Sequence, residues 1–395
     1  MFTFVTETKH TMNYENLHLK YKVKNIVGRY LNLEAIESIL KTWNTKDQLE
    51  VLGFSVQNRP VYKYQIGHGT TKILMWSQMH GNESTTTKGL MDFIQFLQDD
   101  STITQAILNQ FTFCIVPMLN PDGAEVYTRV NANAVDLNRD FQDLSQPESR
   151  LLMRCYDEFK PDYCYNLHDQ RTIFGVGTTG KSATMSFLAP SFNDEKDYDA
   201  PRLKAVSVIV NMVKALKVFI PGQIGRFDDE FNINCAGDTF QALKTPTILI
   251  EAGHFSDDYD REVTRKFVFI ALVSGLLEMK INRGYDNDLD KYLSIPQNIP
   301  NFFDFIYKNV KVGEDKSAFV TNFSVQFREE LLQSKIVFNA FIAKEGNLEG
   351  YFGHYEYDAN QSLYTDENDN IPKLDEKANF CLDKKVKIVN GLVKK

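Results

Sequence analysis

Ile73, Leu74, Met75 and Trp76 form an unbroken apolar run that stops at a polar loop carrying His80, Gly81, Asn82 and Glu83. A run of this length reads as a buried strand, and the glycine lets the chain turn tightly at the strand's end. The same grammar recurs along the chain. Phe111–Met118 is a second apolar strand, closed by a turn at LNPDG, Tyr163–Leu167 leads to His168, and Thr247–Ile250 leads to Glu251. Between these runs lie helical spacings: Leu90, Phe93, Ile94 and Leu97 follow the first strand, and residues 262–283 read as one long helix. Strand, loop and helix in succession predict an α/β fold, a mainly parallel or mixed twisted sheet with helices on both faces.

The texture changes twice. Over residues 1–50, Leu33, Ile36, Ile39 and Leu40 keep helical intervals behind Asn32, an N-cap residue type, so this part is expected to be a helical lead-in. From Val51 two β-rich runs flank QNRP, a hairpin-like pattern that opens the sheet. From about residue 300 the chain alternates apolar and polar positions in SAFVTNFSVQF, KIVFNAFIA and GYFGHYEYD. The expected organisation is therefore a lead-in at 1–50, a main domain at 51–299 and a small C-terminal β-rich domain at 300–395.

Composition narrows the function classes. The 395 residues are 43% hydrophobic and 12% aromatic, ample for a packed interior, and the net charge of −8 with no basic block gives no electrostatic footprint for nucleic acid. No basic stretch leads into an apolar one at the start, and no uncharged apolar run reaches membrane-spanning length, so neither export nor a membrane partner is expected. Five cysteines, odd in number and without a CxxC pair, argue against a disulfide framework; reduced thiols point to the cytoplasm.

The candidate chemistry gathers at the strand ends. An imidazole and a carboxylate three residues apart, His80 and Glu83, suit one metal ion, although the same pair also occurs on ordinary surface loops. In Asn120–Phe141, NPDGAEVYTRVNANAVDLNRDF, the residues Asn120, Asp122, Arg129, Asn131, Asp136, Asn138, Arg139 and Asp140 are dense for a core and poor in Lys and Glu. An arginine fork beside an amide suits a carboxylate; an internal Arg–Asp network would use the same residue types. Glu251 behind four apolar residues is costly unless it has a purpose.

Taken together, His80-Gly-Asn-Glu83, Asn120-Pro-Asp-Gly123, Arg129 with Asp136-Leu-Asn138-Arg139, His168 and Glu251 resemble the zinc carboxypeptidase family over roughly residues 50–280. The nine positions from Arg129 to Asn138 resemble the carboxypeptidase D/E branch. The resemblance implies one Zn²⁺ per chain held by His80, Glu83 and His168, with Asp136 orienting the first histidine. It makes Glu251 the general base acting on zinc-bound water and Arg129 the partner of the oxyanion. Asn138 and Arg139 would bind the terminal carboxylate of a peptide. The implied partner is thus a peptide or small amide with a free carboxylate.

Two features qualify this expectation. The family carries a mobile tyrosine some twenty residues before its base, where GRFDDEFNINCAGDTF offers Phe227, Phe231 and Phe240 instead. Asp228, Asp229, Glu230 and Asp238 make that region acidic, which suits a basic C-terminal side chain or the amino group of a cell-wall peptide. Alternative readings are a zinc amidohydrolase for murein peptides or N-acyl amino acids, and a non-catalytic module that binds carboxylates. The C-terminal β-rich part stands where the D/E branch has a transthyretin-like domain, and no catalytic set is visible in it. His254 reads as a structural or rim histidine, and His10, His18, His68 and His354 have no partner pattern.

Overall fold

Alternate residues of the central strand face opposite sides, and each side carries its own core. In a computed structural model describing residues 12–45, 48–277, 279, 288–368 and 370–394, Ile73 and Met75 join one apolar cluster while Leu74 and Trp76 join the other. The strands in chain order are β1 (Leu49–Phe54), β2 (Pro60–Gly67), β3 (Thr71–Ser77), β4 (Phe111–Val116), β5 (Tyr163–Asp169), β6 (Phe174–Val176), β7 (Met185–Leu188), β8 (Ile224–Arg226) and β9 (Thr247–Ala252). All but β6 form an eight-stranded sheet of order β1-β2-β4-β3-β5-β9-β7-β8 among the described residues. Strands β4, β3, β5 and β9 run parallel, whereas β1, β2 and the β7–β9 pair are antiparallel, so the sheet is mixed around a parallel centre.

Helices cover both faces. On one side Thr85–Leu97, Ala200–Leu216 and Glu262–Leu277 pack together over the larger core; on the other Pro147–Phe159 and Ala236–Ala242 cover the smaller one. Helix Glu262–Leu277 is apolar almost all round, with Phe267–Val273 essentially without solvent exposure, as a central helix must be. Of the long helix expected at 262–283, Glu262–Leu277 is helical; residues 278 and 280–287 lie outside the described residues. His10 lies outside them too.

Residues 12–45 are built into the larger core. Helix Leu33–Trp43 starts as anticipated, with Asn32 Oδ1 accepting from the Ala35 amide at 3.2 Å, and it buries Leu33, Ile36 and Leu40. Upstream, buried Asp92 gathers four donors: His18 Nε2 at 3.0 Å, the Val23 amide at 2.8 Å, and Arg265 Nε and Nη2 at 2.7 and 2.6 Å. His18 thus has a partner that its sequence neighbours do not disclose.

After β10 (Asn298–Pro300), which pairs with β6, the chain forms β11 (Phe302–Val312), β12 (Phe319–Leu332), β13 (Lys335–Glu345) and β14 (Phe352–Asp358), a sheet of order β13-β12-β11-β14. Four short strands, β15 (Tyr364–Thr365), β16 (Phe380–Leu382), β17 (Val386–Val389) and β18 (Leu392–Val393), make a second sheet. Phe305, Tyr307, Phe323, Val325, Tyr364 and Phe380 fill a third core between them.

Candidate metal centre and cavity

Because β3, β5 and β9 are parallel neighbours, their carboxyl ends open at one edge of the sheet. His168 and Glu251 do not lie beyond their strands as anticipated; each is the last residue but one of its strand, and the two are register partners. His80 follows β3 by three residues. The loop that carries it begins at Gln78, buried with φ of 48°, whose Nε2 donates to Leu31 O at 2.8 Å and Gly81 O at 2.9 Å. Gly81 lies so close to the next loop that a Cβ there would fall 2.0 Å from the Gly123 carbonyl carbon, so this position needs glycine.

That next loop differs from the simple turn read at LNPDG. Asn120 Oδ1 accepts from the Gly123 amide at 2.8 Å and caps a short helix, Pro121–Val126, with proline in its first turn. The polar residues of Asn120–Phe141 then divide by task. Asn120, Asp122, Asn131 and Asp140 are buried and hold the loop: Asp122 accepts from Ser55 Oγ at 2.8 Å and Arg59 Nη1 at 2.7 Å, and Asn131 Nδ2 donates to Gln146 at 2.9 Å and Glu148 at 3.1 Å. Arg129, Asn138 and Arg139 line a cavity of about 740 Å³ together with His80, Glu83, His168 and Glu251.

Within it, His80, Glu83 and His168 offer ligand atoms that all lie within 4.8 Å of one another. His80 Nδ1 is 2.8 Å from Glu83 Oε1, His168 Nδ1 is 2.9 Å from Glu83 Oε2, and the two Nδ1 atoms are 3.2 Å apart. On the far side of the first ring, His80 Nε2 lies 2.9 Å from Asp136 Oδ1, which fixes the tautomer whose Nδ1 lone pair faces Glu83. Two imidazole nitrogens and a carboxylate oxygen directed at one point suit a cation, and this N, N, O set suits zinc.

The electrostatics agree. Burial pushes the Glu83 carboxyl up, but the two imidazoles outweigh it and hold the group well below the usual carboxylate range. Burial lowers His168, whereas at His80 the Glu83 charge and the hydrogen bond to Asp136 overcome burial and raise it. Glu251 is pushed well above the ordinary glutamate value, first by burial and then by the negative charges of Glu83 and Asp169, and its Oε2 has no hydrogen-bond partner.

Comparison with known proteins follows the same lines. A family model described as zinc carboxypeptidase matches residues 33–173. Over that stretch the chain is similar to the zinc carboxypeptidases. Carboxypeptidase E of Caenorhabditis elegans is 34% identical over 145 residues, 30% of this chain and 30% of that protein. Carboxypeptidase SOL1 of Arabidopsis thaliana is 28% identical over 147 residues, 31% of this chain and 30% of that one. The chain thus spans under a third of the length of these relatives. A metallo-carboxypeptidase from Burkholderia cenocepacia shares the fold, with a TM-score of 0.50 over 67% of this chain and 70% of that one at 16% identity. Zinc carboxypeptidases use one zinc ion, and the three convergent donors described above fit it.

The remaining residues of the cavity depart from expectation in instructive ways. Phe227 lines it, but Phe240 is buried in the smaller core, stacked on Tyr156 with ring centroids 4.4 Å apart, and is no lid. Two tyrosines line it instead, Tyr127 and Tyr259, the latter with its hydroxyl on Asp304 at 2.8 Å. Asp228, Glu230 and Asp238 face the cavity, whereas Asp229 turns away to Arg202 at 2.9 Å. Burial raises the Asp238 carboxyl to about 7. His254 is buried against His354 and Tyr259, with ring centroids at 4.2 and 4.6 Å. Sequence reasoning missed Arg29 and, from the C-terminal sheet, Gln326, Phe327, Arg328, Glu329 and Phe338, all of which line the cavity. Their alternating pattern signals a strand but not which neighbour its polar side meets.

Proposed function

We propose that the protein is a zinc-dependent carboxypeptidase that hydrolyses the last peptide bond of peptides with a free C-terminus. The observation that carries this reading is the gathering, in one cavity, of a three-donor metal group, a buried carboxylate with an unused oxygen at Glu251, and the cationic and amide groups of Arg129, Asn138 and Arg139. Zinc held by His80, Glu83 and His168 would supply a Lewis acid that acidifies a water molecule and polarises the scissile carbonyl. Glu251 takes the proton of the attacking water and passes it to the departing amine. Its raised proton affinity is set by burial and by neighbouring negative charge, and a cation between the ligands acts in the opposite direction.

Arg129 steadies the charge that develops on the carbonyl oxygen. Its Nε sits on Asp136 Oδ2 at 3.0 Å and its Nη1 is 3.3 Å from Glu83 Oε1, with the side chain half exposed to the cavity. Asn138 Oδ1 accepts from the Ala236 amide at 3.0 Å, which leaves its NH₂ for a substrate carboxylate. Arg139 is exposed beside it, with Nη1 occupied by the Asn138 carbonyl at 2.7 Å and Cys235 Sγ at 3.0 Å. Asp238, Asp228 and Glu230 on the wall favour a basic terminal side chain.

The reading includes a cytoplasmic location, supported by five free thiols, among them Cys114 and Cys155 whose buried sulfurs lie 3.4 Å apart. No helix among the described residues is long and apolar enough to cross a membrane.

The test is mass spectrometry of a peptide pool incubated with the zinc-loaded protein, each peptide present as free acid and as C-terminal amide. Loss of single residues from the free acids alone is expected, fastest for Lys and Arg. Equal cleavage of amides would remove the Asn138–Arg139 assignment, and no cleavage at all would remove the activity.

A further inference from the structure

The loop that presents Arg129 is anchored at two points, and one anchor comes from the far end of the chain. Downstream, Asn131 is fixed by Gln146 and Glu148 within the main body. Upstream stands Tyr127, buried, which ends the helix Pro121–Val126 in the left-handed region with φ of 57° and ψ of 47°. A non-glycine residue held there is strained and needs its surroundings to keep it in place. Its hydroxyl donates to Glu329 Oε2, a residue of β12 some 200 positions away. Buried Arg29 closes the set, with Nη2 at 3.0 Å from Glu329 Oε2 and 3.3 Å from the Tyr127 hydroxyl.

We propose that Glu329 is a positioning residue of the site: by clamping Tyr127 together with Arg29, the C-terminal sheet sets where Arg129 stands. The catalytic consequence rests on the role given to Arg129 above; the clamp itself does not. Arg129 lies two residues beyond Tyr127, and its long side chain is half exposed, so its reach toward Asp136 and Glu83 depends on where its backbone is held. Displacement by about 1 Å is enough to cost on the order of a hundredfold in rate at such a site. Glu329 is itself fixed for the task. Burial would raise its carboxyl, yet the Arg29 charge and the Tyr127 hydroxyl keep it below the ordinary value, so it stays an anion and an acceptor. Its strand is held in turn, as Gln326 Nε2 reaches Thr172 Oγ1 at 2.8 Å and the Phe327 amide donates to Asp304 at 2.7 Å. The C-terminal region thereby becomes a working part of the cavity.

The experiment uses the zinc-loaded full chain and the variants Tyr127→Phe, which keeps the ring and removes the hydroxyl, Glu329→Gln and their double. Amide hydrogen exchange over residues 127–131 is expected to rise about tenfold in each single variant, and no further in the double, since both remove the same link. kcat is expected to fall about tenfold or more with KM changed less than twofold. Phe380→Leu, in the C-terminal core away from the cavity, is the control: it should lower the melting temperature and leave kcat intact. Exchange unchanged in Tyr127→Phe overturns the clamp, whatever happens to Glu329→Gln. Raised exchange with unchanged kcat overturns its catalytic role. A wild-type protein that cleaves no peptide overturns the carboxypeptidase reading instead, and the exchange result still decides the clamp.

Discussion

Removing the Asp136 carboxylate should weaken metal binding and misplace Arg129 at once, and two substitutions separate these effects. Asp136 accepts three donors: His80 Nε2 at 2.9 Å and the Asn138 amide at 2.9 Å on Oδ1, and Arg129 Nε at 3.0 Å on Oδ2. An asparagine offers one acceptor oxygen in place of two. Keeping that oxygen on His80 and the Asn138 amide turns its NH₂ against the Arg129 guanidinium, so Asp136→Asn should retain most of the zinc affinity and lose turnover. Alanine leaves neither contact. Losing the carboxylate behind a ligand histidine weakens metal binding by about 10–100-fold, which is roughly 1.4–2.7 kcal/mol. Competition with a chromophoric chelator at fixed pH measures the affinity, and kcat at saturating zinc measures the rest. The expected order is wild type, then Asn, then Ala for zinc, with both variants slow. An alanine variant that holds zinc within twofold of wild type would refute the argument that Asp136 fixes the His80 tautomer.

Glu251→Gln is nearly isosteric and should abolish turnover while zinc content, read by atomic absorption, stays at one per chain. Arg139→Ala should raise KM for free-acid peptides at least tenfold and leave binding of the matching amides unchanged by calorimetry. Asp238, raised by burial to about 7 from an ordinary 3.8, is protonated in the folded chain and ionised in the unfolded one between those values. Stability is therefore lost as pH rises through that window, by at most about 4 kcal/mol at 1.36 kcal/mol per unit. Asp238→Asn should gain stability over wild type in urea unfolding at pH 8 and not at pH 3, and release of C-terminal Lys by wild type should fall as pH drops below about 7. Asp92→Ala strands the Arg265 guanidinium in the core and should cost about 3–5 kcal/mol in the same unfolding assay.

The parallel centre of the sheet was legible because β3, β4, β5 and β9 carry apolar runs buried on both faces that lead into polar residues or loops. That periodicity says where a strand lies but not its last residue, which is why His168 and Glu251 proved to be inside β5 and β9. Local polar patterns were legible where residues act within one segment, as with Asn32 capping its helix. They were ambiguous where the same residue types serve two purposes: in Asn120–Phe141 the chain composition is alike for Asp122, which braces Ser55 and Arg59, and for Asn138, which faces the cavity. Contacts between distant segments left no trace in the pattern. Asp92 sits in a helical stretch whose spacing announces only an amphipathic helix, and Glu329 lies on a strand whose alternation is that of any half-buried strand.

The buried knot around Asp92 bears on the order in which the molecule can assemble. It unites Val23 and His18 near the start with Asp92 and with Arg265, whose Nη2 also donates to Val23 O at 2.8 Å across 242 positions of sequence. During vectorial synthesis the Asp92 carboxylate therefore lacks its guanidinium partner until the helix Glu262–Leu277 has emerged. Completion of the larger core is thus a late event that joins residues 18–26 to a helix made more than 200 positions later. Other contacts of residues 12–45 need no such wait: Tyr21 reaches Asp99, and Tyr30 and Asn32 reach Glu125, all within the first third of the sequence.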